Sequence, residues 1–465
     1  MNKERSSFSS RIGFVLAAAG SAVGLGNLWR FPYLAAKYGG GIFLLVYIIL
    51  AITFGFALMI TEIAIGRKTR LSCIGAYKAL DKRFGFLGWI AALVPVIITP
   101  YYCVIGGWVM KYLFTFLTGN GLTAADGGDF FSGFIGFDAG TIPATMLDFS
   151  GPTPWFLIYV ILTTVVVAFG VEKGIEKASR FMMPVLAILA IFIAVYSLTI
   201  DGALEGLKYY IMPDFSQFSA STVLGALGQL FYSMSLAMGI MITYGSYMKK
   251  ENLLEHSVAQ IEIFDTLFAF VAGLMIIPPV IAFNGGDPSK INAGPGLMFI
   301  TLPQVFEKMA FGSIIGTVFF VLVLFAALTS SISLMETIVS VVIDKTSLNR
   351  KTATICVTVV VLIIGIPSCL GYGPWAGITI IGMQFLDFFD FISNSVMMPI
   401  VAFLTCILVG HVVGTKVIAD EVEAESGVFH RKKMHEVMVK WIAPVLLVLI
   451  LGSELATKVF KIFTI

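Results

Sequence analysis

The sequence predicts an all-α protein that crosses a membrane many times, and three observations carry this. Hydrophobic residues make up 58% of the 465 and charged ones only 12%. The apolar runs reach the ~20 residues that a helix rising ~1.5 Å per residue needs to cross hydrocarbon. Basic residues gather in alternate connecting segments. Soluble core helices are neither so long nor so numerous. A net charge of +2 without a basic cluster gives nucleic acid no surface to bind. The five cysteines (Cys73, Cys103, Cys356, Cys369, Cys406) show no metal-ligand spacing and read as small buried hydrophobes.

In order, the predicted spans are 12–36, 41–66, 86–117, 153–170, 178–200, 222–248, 256–283, 311–344, 353–371, 376–410 and 435–463. The charged stretch Met1–Arg11 runs directly into a full-length span, so no cleaved signal peptide is expected. With the N-terminus in the cytoplasm, 22 of the 30 Lys and Arg residues fall in cytoplasmic segments, among them Lys3, Arg5, Arg67, Lys173, Arg350 and Arg431. Segment 118–152 holds Asp126, Asp129, Asp138 and Asp148 with no Lys or Arg, and is expected outside. An odd number of spans leaves the C-terminus extracytoplasmic.

Two spans carry interruptions. In the first, Gly20-Ser21-Ala22-Val23-Gly24-Leu25-Gly26-Asn27 places three glycines within seven residues, poor material for the middle of a helix. In the sixth, Phe231 to Gly239 is rich in serine and small residues. Small residues also let membrane helices pack closely. Unwound backbone in hydrocarbon, however, is tolerated only where protein or a wet cavity surrounds it. Two breaks five spans apart, and so inverted in the membrane, predict a transporter of two inverted five-helix repeats, 11–200 and 221–411, with an additional helix at 435–463. Such breaks expose carbonyls for a cation and N–H groups for an anion.

These stretches carry a resemblance. Gly20 to Gly26 followed by Asn27-Leu28-Trp29-Arg30-Phe31-Pro32-Tyr33 is similar to the first-helix signature of the neurotransmitter:sodium symporters. Similarity continues through Thr61-Glu62-Ile63-Ala64-Ile65-Gly66-Arg67, Gln229 to Tyr247, Leu328-Thr329-Ser330-Ser331 and Phe385 to Phe391. It covers nearly the whole chain and resembles the bacterial amino-acid branch. The twelfth span of many members is missing. The resemblance implies an integral protein of the prokaryotic plasma (inner) membrane, with sodium ions, an amino acid and membrane lipid as partners. Monomer and homodimer both stay open.

The resemblance also implies a set of sites. Sodium is a hard cation that takes oxygen ligands. One site would use Ala22, Asn27, Ser233 and Asp265 together with the substrate carboxylate. The second would use Gly20, Val23, Ala326, Thr329 and Ser330. Relatives that carry monoamines have an acid at the position of Gly24, so glycine there implies a substrate with its own carboxylate. That carboxylate would meet the N–H groups of Leu25 and Gly26 and the hydroxyl of Tyr102. The ammonium would meet carbonyls of Ala22, Tyr232 and Ser233 and the hydroxyl of Ser235. A side-chain pocket of Ser21, Ile98, Tyr232, Ala237, Met238, Ser330 and Leu334 has no charge and fits a hydrophobic or aromatic side chain. Leucine-like and tyrosine- or tryptophan-like substrates both fit this description.

Arg30 and Asp390 match the family's extracellular ion pair, over Tyr102 and Tyr232. Arg5 and Asp344, near Tyr247, match the intracellular one. Charges near helix ends also snorkel to the interface, which is the plainer reading of each. Gly174 and Pro184 reproduce a spacing that implies local unwinding of the fifth helix. Of the acids within spans, Glu62 and Glu336 read as structural or proton-linked. Asp265 stands where animal relatives, which hold chloride, carry Asn, so no chloride requirement is expected. The function implied is sodium-coupled import by rocking spans 1, 2, 6 and 7 against a scaffold. A non-transporting amino-acid sensor on the same fold is the alternative. No nucleophile–base arrangement suggests an enzyme.

Overall fold

A computed structural model describes residues 6–137, 141–424 and 427–460; Lys3, Arg5 and Asp138 lie outside them. The architecture is helical throughout. α1 is broken into Arg11–Ala22 and Gly26–Lys37, bent by 49°. α2 (Gly41–Thr69), α3 (Lys82–Leu117), α4 (Pro152–Ala168) and α5 (Val171–Ser197) follow. α6 is broken into Ala220–Ser233 and Ile240–Tyr247. The chain continues as α7 (Leu254–Phe283), α8 (Gly312–Lys345), α9 (Arg350–Gly371), α10 (Phe385–Val412) and α11 (Lys432–Lys458). Among the described residues, eight unbroken helices are long and apolar enough to cross a membrane, and the bent α1 pair makes nine. α4 is apolar but only 17 residues long, and the break in α6 leaves two pieces shorter still.

Local chemistry explains where these helices start. Ser10 caps α1 by accepting from the Gly13 amide at 3.0 Å. Ser219 and Thr222 form a reciprocal capping box at the start of α6, and Asn349 accepts from the Thr352 amide to open α9. One boundary differs from expectation. The tenth span begins at Phe385 rather than at 376, because Ile381 (φ 53°) and Gly382 (φ 77°) turn the chain left-handed. The apolar run Gly377 to Ile381 is therefore a turn, and Ile378 and Ile381 are exposed.

Glycines set how closely the broken helix approaches its neighbour. A Cβ on Gly66 of α2 would lie 1.9 Å from the Ile242 carbonyl, and one on Gly245 of α6 would lie 2.2 Å from the Ile63 carbonyl. The two backbones touch there with nothing between them. Between α7 and α8, the helical segments Leu297–Thr301 and Leu302–Lys308 cover the end of α3. Tyr112 donates to the Phe299 carbonyl at 2.8 Å, and Phe299 stacks on Phe131 at 5.5 Å.

Candidate functional site

The break in α1 is a real loss of helix. After Ala22 the backbone turns extended at Val23 (ψ 102°). The amides beyond it find side chains instead of the preceding turn. Gly24 N–H donates to Asn27 Oδ1 at 3.1 Å, and Leu25 N–H donates to the Tyr102 hydroxyl at 3.3 Å. The break in α6 has a different origin. Ser235, Ala237 and Gly239 all lie in the left-handed region (φ 54°, 60° and 75°). Two of these are not glycine, so the conformation must be held from outside. Glu62 of α2 does so by accepting from the Ala237 amide at 2.7 Å. Glu62 thus has a visible structural task.

Between the breaks lies a cavity of about 30 Å³. Twelve of the thirteen residues expected around a substrate line it: Ser21, Ala22, Leu25, Gly26, Ile98, Tyr102, Tyr232, Ser233, Ser235, Met238, Ser330 and Leu334. Gly24 and Ile240 complete the lining. Ala237, expected in the pocket, is not part of it. Its left-handed backbone is held by Glu62 through the amide, and Ile240 at the start of the next helical piece lines the cavity. The lining carries no charged side chain. The Ser21 carbonyl accepts from Ser235 at 2.9 Å and from Ser330 at 3.1 Å, so α1, α6 and α8 meet on one oxygen.

The residues expected at the first cation site form one buried network. Asn27 Nδ2 donates to Ser233 Oγ and to Asp265 Oδ1, both at 2.9 Å, and Ser233 donates to Asp265 Oδ1 at 2.7 Å. Tyr47 reaches Ser233 and Asp265 Oδ2 at 3.3 Å each. Ala22 lines the adjoining cavity. The second expected set also converges. A Cβ on Gly20 would lie 3.2 Å from Thr329 Cβ, and Ser330 Oγ lies 3.5 Å from the Val23 carbonyl. Thr329 Oγ1 donates to the Ala326 carbonyl at 3.0 Å. Apart from Asn27, which turns its amide nitrogen to Ser233 and Asp265 while its oxygen accepts from Gly24, the polar groups of both sets are oxygens, as a hard cation requires.

At the end expected to face outward the structure departs from expectation. Arg30 and Asp390 form no ion pair. Asp390 Oδ1 is occupied by Asn394 (2.5 Å) and Tyr101 (3.1 Å), while the Arg30 guanidinium lies over the Tyr232 ring, 5.6 Å from its centre. At the end expected to face the cytoplasm Arg5 lies outside the described residues. Asp344 accepts from the Ser72 amide at 2.8 Å. Tyr247 donates to Glu336 at 2.7 Å and packs edge-on against Phe8. Glu336 also holds a two-pronged ion pair with Arg350 (2.7 and 2.8 Å), which sequence reasoning missed. In the sequence Arg350 reads only as a cytoplasmic charge, and nothing in its local pattern points back at α8. The unwinding implied at the start of the fifth helix is not seen: α5 is continuous from Val171 and opens on a wide helical turn, Val171–Glu176, with Gly174 packed so closely that a Cβ would lie 2.1 Å from the Val166 carbonyl.

The chain is similar to known proteins. The chain matches the Sodium:neurotransmitter symporter family over residues 5–125 and 138–462. The "Uncharacterized sodium-dependent transporter YhdH" of Bacillus subtilis is 37% identical, over 86% of this chain and 87% of its own. An uncharacterized sodium-dependent transporter of Haemophilus influenzae is 33% identical over 98% of this chain and 99% of its own. The crystal structure of MhsT in complex with L-phenylalanine has a TM-score of 0.85 at 37% identity, covering 97% of this chain and 100% of that one. With broken α1 and α6 at the centre of an inverted five-helix repeat, this chain belongs to the sodium:neurotransmitter symporter family and is a membrane-embedded, sodium-dependent transporter.

Proposed function

We propose that this transporter imports a neutral L-amino acid with a hydrophobic or aromatic side chain, driven by two sodium ions and without need of chloride. The observation that carries the reading is at Gly24. A Cβ there would meet Ser330 Oγ at 2.6 Å and the Tyr102 hydroxyl at 2.9 Å, so the first break has no room for an acidic side chain. The lining is uncharged, and the amides and hydroxyls around Leu25 and Tyr102 are left to bind an anion that the substrate brings. The bound L-phenylalanine of MhsT supports the same substrate class.

In this reading the substrate carboxylate joins Ala22, Asn27, Ser233 and Asp265 around the first sodium. Gly20, Val23, Ala326, Thr329 and Ser330 hold the second. Ile98, Met238, Ile240 and Leu334 receive the side chain, and Met238 repacks around different shapes. Transport proceeds by alternating access, with Arg30 and Asp390 closing the outer side and Asp344 and Tyr247 near the inner gate. The protein sits in the inner membrane with its N-terminus cytoplasmic and its C-terminus outside. Two charges entering at a potential of 100 mV supply ~4.6 kcal/mol before any sodium gradient counts.

Purified protein in sealed proteoliposomes decides between substrates. L-Phenylalanine is expected to accumulate only with an inward sodium gradient. Phenethylamine, the same side chain without the carboxylate, is expected to compete poorly. Equal competition by the amine would overturn the assignment.

A further inference from the structure

Glu454 is an acid that the five-helix repeats do not explain. It lies on α11, outside both repeats, in a helix otherwise uncharged from Ala443 to Ser453. A carboxylate in such a helix is costly and functional by default. Its side chain accepts from Ser395 of α10 at 2.8 Å and pairs with Lys458 one turn on at 3.1 Å. It also borders the outer gate. Arg30, Asn394, Ser395 and Glu454 share the wall of a gap of about 10 Å³, room for about one water. Arg30, Glu454 and Lys458 together border a second, outward cavity of about 160 Å³.

Arg30 therefore stands between two acids. Asp390 on α10 is held by Tyr101 and Asn394, Glu454 on α11 is held by Ser395 and Lys458, and the guanidinium bonds to neither. Its polar contact among the described residues is the face of Tyr232, itself a wall of the central cavity. We infer that Glu454 is the second anchor of the outer gate, holding Arg30 toward α11 while the vestibule is open and yielding it to Asp390 on closure. Lys458 competes with Arg30 for the same carboxylate. α11 thus sets the balance of the gate, and Glu454 is a positioning residue that acts through Arg30. The inference rests on the proposed Arg30–Asp390 closure.

The test reads how open the vestibule is. Leu224, which lines the outward cavity, is replaced by Cys in a Cys356→Ser background; the other four cysteines are buried. A membrane-impermeant maleimide labels this protein in proteoliposomes containing sodium and no amino acid. Glu454→Gln is expected to slow labelling by about threefold to fivefold, and Lys458→Gln, which leaves the acid to Arg30, to speed it. Loss of a merely structural ion pair would move both variants in the same direction, and that result overturns the proposal. In an Arg30→Gln background both effects should vanish; effects that persist also overturn it. Asp390→Asn separates the two readings. A flat response there beside opposite shifts in the α11 variants defeats the closure reading alone. Faster labelling there beside flat α11 variants defeats this inference alone.

Discussion

Asn27, in the first turn of α1 after its break, donates its side-chain amide to the carboxylate of Asp265, in the middle of α7, across 2.9 Å. Both residues are fully buried, and Ser233 and Tyr47 complete the ring around the acid. Neutral donors soften the cost of a buried carboxylate without cancelling its charge. The remaining charge calls for a cation, and the break beside it supplies the further oxygens that sodium would need.

Asp265→Asn therefore removes the negative charge that sodium would otherwise meet. Uptake by the unmodified protein should be equal in chloride and in gluconate. The variant should either acquire a chloride requirement or lose sodium affinity by about tenfold or more, as expected when one partner of a buried charge pair is removed. A chloride requirement in the unmodified protein would refute this account.

Thr329 and Ser330 differ in what they do without an ion. Thr329 bonds back to carbonyls of its own helix at 3.0 Å, as packing hydroxyls do, whereas Ser330 reaches across to the α1 carbonyls of Ser21 and Val23. The double change Thr329→Ala with Ser330→Ala should lower sodium affinity by about tenfold, since hydroxyl lone pairs are lost from a hard-cation site. Gel filtration should still show folded protein. Unaltered sodium dependence of uptake would return both hydroxyls to a packing role.

How much of this was legible follows from the kind of signal each residue leaves. Glycines crowded into an apolar run mark the break in α1, serines and small residues mark the one in α6, and the residues around them follow from the resemblance. Residues 376–384 misled because an apolar run leaves the same mark whether it spans or turns; only the left-handed Ile381 and Gly382 distinguish them. Arg350 and Glu454 stayed hidden because an ion pair or shared cavity between helices is set by tertiary packing. No spacing in the chain encodes that Arg350 turns back to α8 or that Glu454 faces Arg30. Asp390 and Arg30 show the converse: matching positions do not dictate which partner each side chain holds.

Gly24→Ala tests whether the space at the first break is used by substrate. One methyl there would sit 2.6 Å from Ser330 Oγ and 2.9 Å from the Tyr102 hydroxyl, so those groups must shift. Overpacking of this kind costs about 1–3 kcal/mol, equivalent to a loss of about fivefold to 150-fold in binding. L-Phenylalanine affinity should fall by that factor while thermal stability in substrate-free sodium changes far less. A matching loss of stability would mean that the glycine serves packing alone.

The last prediction concerns Glu336 and Arg350. Glu336 is fully buried, yet both its oxygens are taken by Arg350 and one also by Tyr247. Arg350 reaches further, donating to the Val167 carbonyl at the end of α4 at 3.1 Å. One ion pair thus ties α8, α9, α4 and the inner end of α6. Arg350→Gln leaves a buried carboxylate with no cation and should lower stability by about 3 kcal/mol or more. Glu336→Gln leaves Arg350, which is only 20% exposed, without its anion and should cost a similar amount. Combining the two removes both charges and lets the amides bond to each other and to Tyr247. The double variant should therefore be more stable than either single one, a sign reversal that packing loss cannot produce. Unfolding in detergent, followed for all four proteins, provides the cycle. Additive losses would show that the two side chains act independently and that the pair is not what holds the inner ends together.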